Sequence, residues 1–226
     1  MLFMNQRQKM KAVITFLKKN YDTEHALARN KFMLLIGTIL SQRSRDITTE
    51  KAERSLFSVA KTPETIAKLP IKKLQALIRI SGPYRQKAKR IKAVSEIILK
   101  KYKGRVPKTR VELLELPGVG FKTADIVLSY GYGVPTIAVD THVNRIPRRI
   151  GLVSSKANIE EARKELEALT PLKDRFIINL GLVQFGQTVC KAVRPLCEKC
   201  ELNKLCDYYQ KQRQLSIILK RLETIT

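Results

Sequence analysis

Six residues in this sequence combine reactive chemistry with suggestive spacing: Lys122, Asp140 and the four cysteines Cys190, Cys197, Cys200 and Cys206. Lys122 closes the run Leu116-Pro117-Gly118-Val119-Gly120-Phe121-Lys122. A Gly-x-Gly turn lets the backbone pass through conformations closed to other residues and approach another molecule closely. Helix-like segments flank it, Val111 to Leu116 and Phe121 to Tyr130, so Gly118, Val119 and Gly120 present the free amides of a helix start, which bind phosphate. A dinucleotide-binding turn is excluded because no strand precedes the glycines and no third glycine follows at the right offset. An ordinary glycine-containing helix connection is the alternative. Lysine attacks carbon only as the neutral amine, and the positive end of a helix dipole favours that form. Gly131, Gly133 and Pro135 then break the helix and can return the chain, bringing the carboxylate of Asp140 beside Lys122. An amine with a carboxylate partner suits attack on a sugar carbon through a Schiff base.

The cysteines follow the pattern C-x6-C-x2-C-x5-C. Four thiolates at such short intervals can converge on a tetrahedral zinc or on an iron–sulfur cubane. Zinc ribbons usually pair two close doublets across a longer spacer, and only one C-x2-C doublet is present. The residues between the first two cysteines would bulge outward, carrying Lys191 and Arg194 toward backbone phosphate.

The partner such a protein meets is constrained by charge. With 44 Lys and Arg against 20 Asp and Glu, the chain carries a formal charge of +24, which disfavours self-association and favours a polyanion. A monomer bound to nucleic acid is expected, with anionic membrane as second choice. No run of eighteen apolar residues occurs and Met1-Leu2-Phe3-Met4 gives way at once to polar residues, so neither a membrane span nor a secretory signal is expected. The expected location is intracellular, cytoplasmic and nucleoid-associated in a prokaryote, where clustered cysteines point to metal rather than disulfides.

Helices must position these groups, because no stretch alternates polar and apolar residues; the fold is expected to be all-α. Lys9 to Tyr21 places Val13, Phe16 and Leu17 on one face, and Phe32 to Leu40 is apolar enough to be a buried central helix. It delivers Ser41-Gln42-Arg43-Ser44-Arg45-Asp46, a polar cluster at the end of a buried element or simply a helix connection capped by Asp46. Thr62-Pro63-Glu64 reads as a helix start. Ser81-Gly82-Pro83-Tyr84-Arg85-Gln86-Lys87 is a fainter second hairpin; Arg85, Lys87, Lys89 and Arg90 are phosphate contacts or a solvated face. Ser154-Ser155 is read as the cap of a helix to Leu169, Phe176 to Phe185 as a second core, and Leu215, Ile218, Leu219 and Leu222 as a terminal helix packing back on the body.

Leu-Pro-Gly-Val-Gly-x-Lys-Thr-Ala followed by Val-Asp-Thr-His resembles the helix-hairpin-helix signature of the endonuclease III family of DNA glycosylases. The cysteine pattern resembles the 4Fe–4S loop of that family and of adenine-mismatch glycosylases. The resemblance covers residues 8 to 208 and implies two helical lobes with the active site in the cleft between them. One lobe would be a bundle over 25–134; the other would join 1–24 to the cluster segment 135–209, with 210–226 as an extension helix. It implies that Lys122 is the nucleophile, Asp140 its partner, and the four cysteines the ligands of a 4Fe–4S cluster that is structural and positions DNA. Relatives carry a Gln that fills the gap left by a flipped base; by spacing to Asp46 that place is held by Arg43, with Gln42 one residue earlier. Pro83 stands where relatives place an apolar wedge, or is plain punctuation between helices. His142 is site-lining or structural, and His25 structural. The implied function is a bifunctional glycosylase and abasic-site lyase acting on oxidised or damaged pyrimidines, or on abasic sites, in double-stranded DNA. A monofunctional mismatch glycosylase and a non-catalytic helix-hairpin-helix binding protein are the alternatives.

Overall fold

The structure, a computed structural model, describes residues 4–23, 27–28 and 30–223, with side chains to residue 218. His25 lies outside the described residues. Twelve α-helices and no strand occur among them, as the absence of polar–apolar alternation requires: α1 Gln6–Asn20, α2 Lys31–Ser41, α3 Asp46–Val59, α4 Pro63–Lys68, α5 Ile71–Leu77, α6 Tyr84–Tyr102, α7 Arg110–Leu114, α8 Phe121–Ile126, α9 Thr141–Ile150, α10 Ile159–Leu169, α11 Arg175–Thr188 and α12 Asp207–Glu223. The chain divides into two compact units, one formed by residues 26–134 and the other by residues 1–25 with 135–226.

In the 26–134 unit, α2 is the centre. Asn30 caps it by accepting the Met33 amide, and seven consecutive positions from Leu35 to Ser41 carry only Gly37, Thr38 and Ser41 as breaks in the apolar run. Leu35, Ile36, Ile39 and Leu40 are buried and meet Leu56 of α3 and Ile91 of α6 in one core. Thr62 and Pro63 start α4 as expected, with a reciprocal Thr62–Thr65 capping box. Asp46 occupies the first turn of α3, and Arg45, not Asp46, is the cap residue. The expected single helix from Phe121 to Tyr130 is two structures: α8 passes directly into one turn of π-helix, Val127–Gly131.

The other unit packs α1, α9, α10 and α11 around Leu17, Ile146, Leu166, Ile178, Leu182 and Phe185. Asn5 and Gln8 form a capping box at the start of α1. The helix expected to follow Ser154-Ser155 begins later, at Ile159, because Asn158 offers the better cap: its side chain takes the Glu160 and Glu161 amides while Glu161 returns a bond to the Asn158 amide. The terminal helix does form; Leu215 and Ile218 are exposed, and the side chains of Leu219 and Leu222 lie outside those described. Among the described residues no helix is long and apolar enough to cross a membrane.

Candidate catalytic hairpin and cysteine site

The hairpin is fastened from below by Leu113, Leu116 and Val119, all buried. Gly118 has φ +81°, a left-handed conformation, and a Cβ there would lie 2.6 Å from Arg90 Cδ. The Val119 amide donates to Leu116 O at 3.0 Å and closes the turn. That corrects one expectation: the Val119 amide is engaged inside the hairpin and is not open to phosphate. Gly120 precedes α8 without any capping side chain, and nothing lies within 4 Å of where its Cβ would be. The first amides of α8 therefore have no side-chain partner, which suits an anion. Lys122 is exposed in that first turn and makes no hydrogen bond or ion pair with a described residue of its unit. Beneath it, Arg110 pairs with buried Asp125 at 2.9 Å and lies over the Phe121 ring at 4.8 Å, holding α7 to α8.

Two loops adjoin the hairpin. Gln42 donates to Gly118 O at 2.8 Å and lies 3.3 Å from Thr123 Oγ1, tying the end of α2 to the turn. Arg43, beside it, is exposed with φ +52°. Pro83 is exposed at the start of α6, and Arg85 is exposed with its guanidinium 5.7 Å from the Tyr84 ring. Lys87 corrects a second expectation. It is 2% exposed, so it cannot be a phosphate contact. Its ammonium donates to Leu40 O, Ser81 O and Ser44 Oγ, and burial pulls its pKa down from 10.5 to about 8. No sequence signal separated it from Lys89 or Arg85; only the period of α6, on which Ala88, Ile91 and Val94 face inward, hints at it.

In the other unit, Asp140 caps α9. Its Oδ1 accepts the His142 and Val143 amides, both at 2.8 Å, and its second oxygen takes no part in the cap. His142 is half-buried; a Cβ on Gly186 would fall 2.1 Å from its Nδ1, so its place is set by close packing against α11. Arg145 lies 3.2 Å from that nitrogen and donates to Cys190 O at 2.8 Å.

Cys190, Cys197, Cys200 and Cys206 line one cavity together with Ile150 and Phe185. None is in a disulfide. Burial raises the thiols of Cys197, Cys200 and Cys206 above the usual range, Cys200 to about 11. Among the described residues no three His, Cys, Asp or Glu side chains converge closely enough for one ion. Zinc at about 2.3 Å from each sulfur would draw four sulfurs to within ~4 Å of one another. A cubane, in which each thiolate binds a different iron, suits four sulfurs set more widely around a shared space. Four thiols lining one cavity suit a thiolate-ligated metal centre. Lys191 and Arg194 are exposed on the loop between the first two cysteines, Arg194 with φ +51°. Sequence reasoning missed Arg149, which donates to Lys191 O at 2.7 Å and Ala192 O at 2.9 Å and lies 3.5 Å from Cys190 Sγ. Nothing in the sequence distinguishes it from Arg148, which instead holds the carbonyls of Ser154, Ser155 and Ala157.

An all-α chain with a glycine hairpin ahead of an exposed lysine, and a four-cysteine lobe, is of the helix-hairpin-helix class. A family profile described as HhH-GPD superfamily base excision DNA repair protein matches residues 36–172, more than half the chain. Endonuclease III of Thermotoga maritima is 49% identical over 181 residues, 80% of this chain and 84% of that protein. Among solved structures, a trapped endonuclease III–DNA covalent intermediate in an estranged-adenine complex has a TM-score of 0.86 at 36% identity, covering 93% of this chain and 100% of that one. A thermostable thymine-DNA glycosylase has a TM-score of 0.82 at 30% identity, covering 90% and 97%. The chain belongs to the endonuclease III family within that superfamily.

Proposed function

We propose that this protein is a base excision repair DNA glycosylase that also cleaves the strand at the resulting abasic site. The observation that carries this is the exposed, uncommitted amine of Lys122 in the first turn of α8, directly after a hairpin with open helix amides. The relative solved as a covalent DNA intermediate adds support, since a covalent bond to DNA needs a nucleophile. A damaged pyrimidine is extruded from the duplex, because its sugar carbon cannot be reached within the stack. Lys122 Nζ attacks C1′ as the C1′–base bond breaks and the base leaves; the sugar ring then opens, the C1′–O4′ bond breaking with proton transfer to O4′, which leaves a C1′=N Schiff base. The resulting Schiff base acidifies the neighbouring carbon, and β-elimination expels the 3′ phosphate. Asp140 takes the proton released by the amine and offsets positive charge on the sugar. Gly118, Gly120 and the first amides of α8 hold a backbone phosphate.

Of the two candidates for the gap left by the base, Arg43 is the one whose side chain is unengaged, whereas Gln42 is bonded to the hairpin. Pro83 and Arg85 contact DNA from the second loop, and Lys191 and Arg194 from the cysteine loop. Cys190, Cys197, Cys200 and Cys206 would hold a 4Fe–4S cluster, which supplies a rigid anchor for that loop. Arg149 ties the loop to α9 and sets a positive charge against the Cys190 sulfur.

Borohydride trapping on a duplex with one abasic site tests the reading. Wild type is expected to form a covalent adduct and Lys122→Ala none; no adduct from wild type, with base removal intact, would favour the monofunctional glycosylase instead. A brown preparation with broad visible absorbance is expected for the cluster, and a colourless one containing zinc overturns it.

A further inference from the structure

An open cavity of about 380 Å³ in the 26–134 unit is used by none of the groups discussed so far. It is bounded by α2, α3 and Ile126 of α8. Ile126 lies four residues after Lys122, one helical turn along the same face of α8, so that face carries both the amine and a wall residue of the cavity. A volume of that size is that of a small-ligand site and is ample for one six-membered ring.

Glu53 is the charged residue on this wall. Its carboxyl occupies space that only a glycine leaves open: a Cβ on Gly37 would meet Glu53 Oε1 at 2.3 Å. The neighbouring hydroxyls are engaged, Thr38 with Leu34 O at 2.8 Å and Ser41 with Thr38 O at 2.9 Å. The Asn30 side-chain oxygen caps α2. Glu53, half-buried, makes no hydrogen bond or ion pair with a described residue of its unit. A half-buried carboxyl with no described partner keeps hydrogen-bonding capacity that a ligand entering the cavity can use.

We propose that this cavity receives the extruded pyrimidine and that Glu53 reads it, accepting the ring N–H and, when neutral, donating to the adjacent ring carbonyl. Burial, with the charge of Glu50 behind it, raises the Glu53 carboxyl above the usual carboxylate range and so favours the form that can both donate and accept. A pyrimidine with an intact N–H/C=O edge satisfies both oxygens, whereas one alkylated at that nitrogen leaves the carboxyl unpaired. Loss of such a bond in a site built for it is what discriminates substrates most strongly. Glu53 is a specificity-determining residue here, and the assignment rests on the glycosylase reading above.

The test compares three duplexes, carrying 5,6-dihydrothymine, its N3-methyl derivative, or an abasic site. Wild type is expected to excise the first about 10- to 100-fold faster (kcat/KM) than the second. Glu53→Ala should lower excision of dihydrothymine to the level of the methylated base, show no further loss on methylation, and incise the abasic duplex at the wild-type rate. Glu53→Gln, which keeps an acceptor oxygen at the same reach, should retain most of the activity. Unchanged excision by Glu53→Ala, or an equal loss on the dihydrothymine and abasic duplexes, overturns the proposal. If Glu53→Ala does not fold, wild type decides alone, because indifference to N3-methylation overturns it. Failure of wild type to incise the abasic duplex would instead refute the lyase reading and leave base recognition to be judged on excision.

Discussion

Lys122 and Lys87 lie in the same unit on helices that both follow glycine turns, yet they are opposite solutions to placing an amine. Lys87 is buried, with three oxygen acceptors around its ammonium, and joins the end of α2 to the Ser81–Pro83 turn. Lys122 is exposed and bonded to no described residue of its unit. The same division repeats one residue apart at Gln42, bonded to Gly118 O, and Arg43, exposed in a left-handed turn. A polar group engaged by the scaffold fixes a loop in place; its unengaged neighbour is left for the ligand.

Exchanging the two classes of residue should give opposite signatures. Lys122→Ala is expected to lower strand incision by on the order of 10³-fold or more while stability changes by less than about 0.5 kcal/mol; a comparable loss of stability would break the contrast. Lys87→Met should do the reverse at neutral pH, costing about 1–3 kcal/mol in urea unfolding because Leu40 O and Ser81 O lose their donor.

Titration sharpens the point. Unfolded, Lys87 keeps its proton to its ordinary value of 10.5, whereas folded it releases it at about 8. Between those values the unfolded chain binds more protons, so this residue's contribution to stability rises with pH, at most by about 1.4 kcal/mol per unit. Urea midpoints at pH 7.5 and 9.5 should show that rise in wild type and not in Lys87→Met. Gln42→Ala is expected to cost about 1 kcal/mol through the lost Gly118 bond. The smallest effect on stability belongs to Arg43→Ala, within about 0.5 kcal/mol by thermal unfolding. Its excision rate should nonetheless fall more than that of Gln42→Ala.

Much of this was legible in the residues themselves. The hairpin, the all-α class and the cysteine spacing depend on local chemistry: glycine at a left-handed turn, apolar period, thiols at short intervals. What was not legible depends on contacts between distant segments. Lys87 looks like its basic neighbours until α2 closes over it. Glu53 becomes a cavity group only because Gly37, on another helix, lacks a side chain. Val119 shares the hairpin with two glycines, but its amide turns inward to Leu116 O. The late start of α10 was a contest between caps, which Asn158 wins by bonding both ways with Glu161.

The π turn at Val127–Gly131 makes the chain's tolerance of length changes uneven. A π turn holds an extra residue relative to an α turn, so deleting one residue there can be absorbed by reverting to regular helix. The same deletion within Phe121–Ile126 would swing every earlier side chain on that helix by about 100°. Length variants of this segment should therefore survive only when the change falls after Ile126.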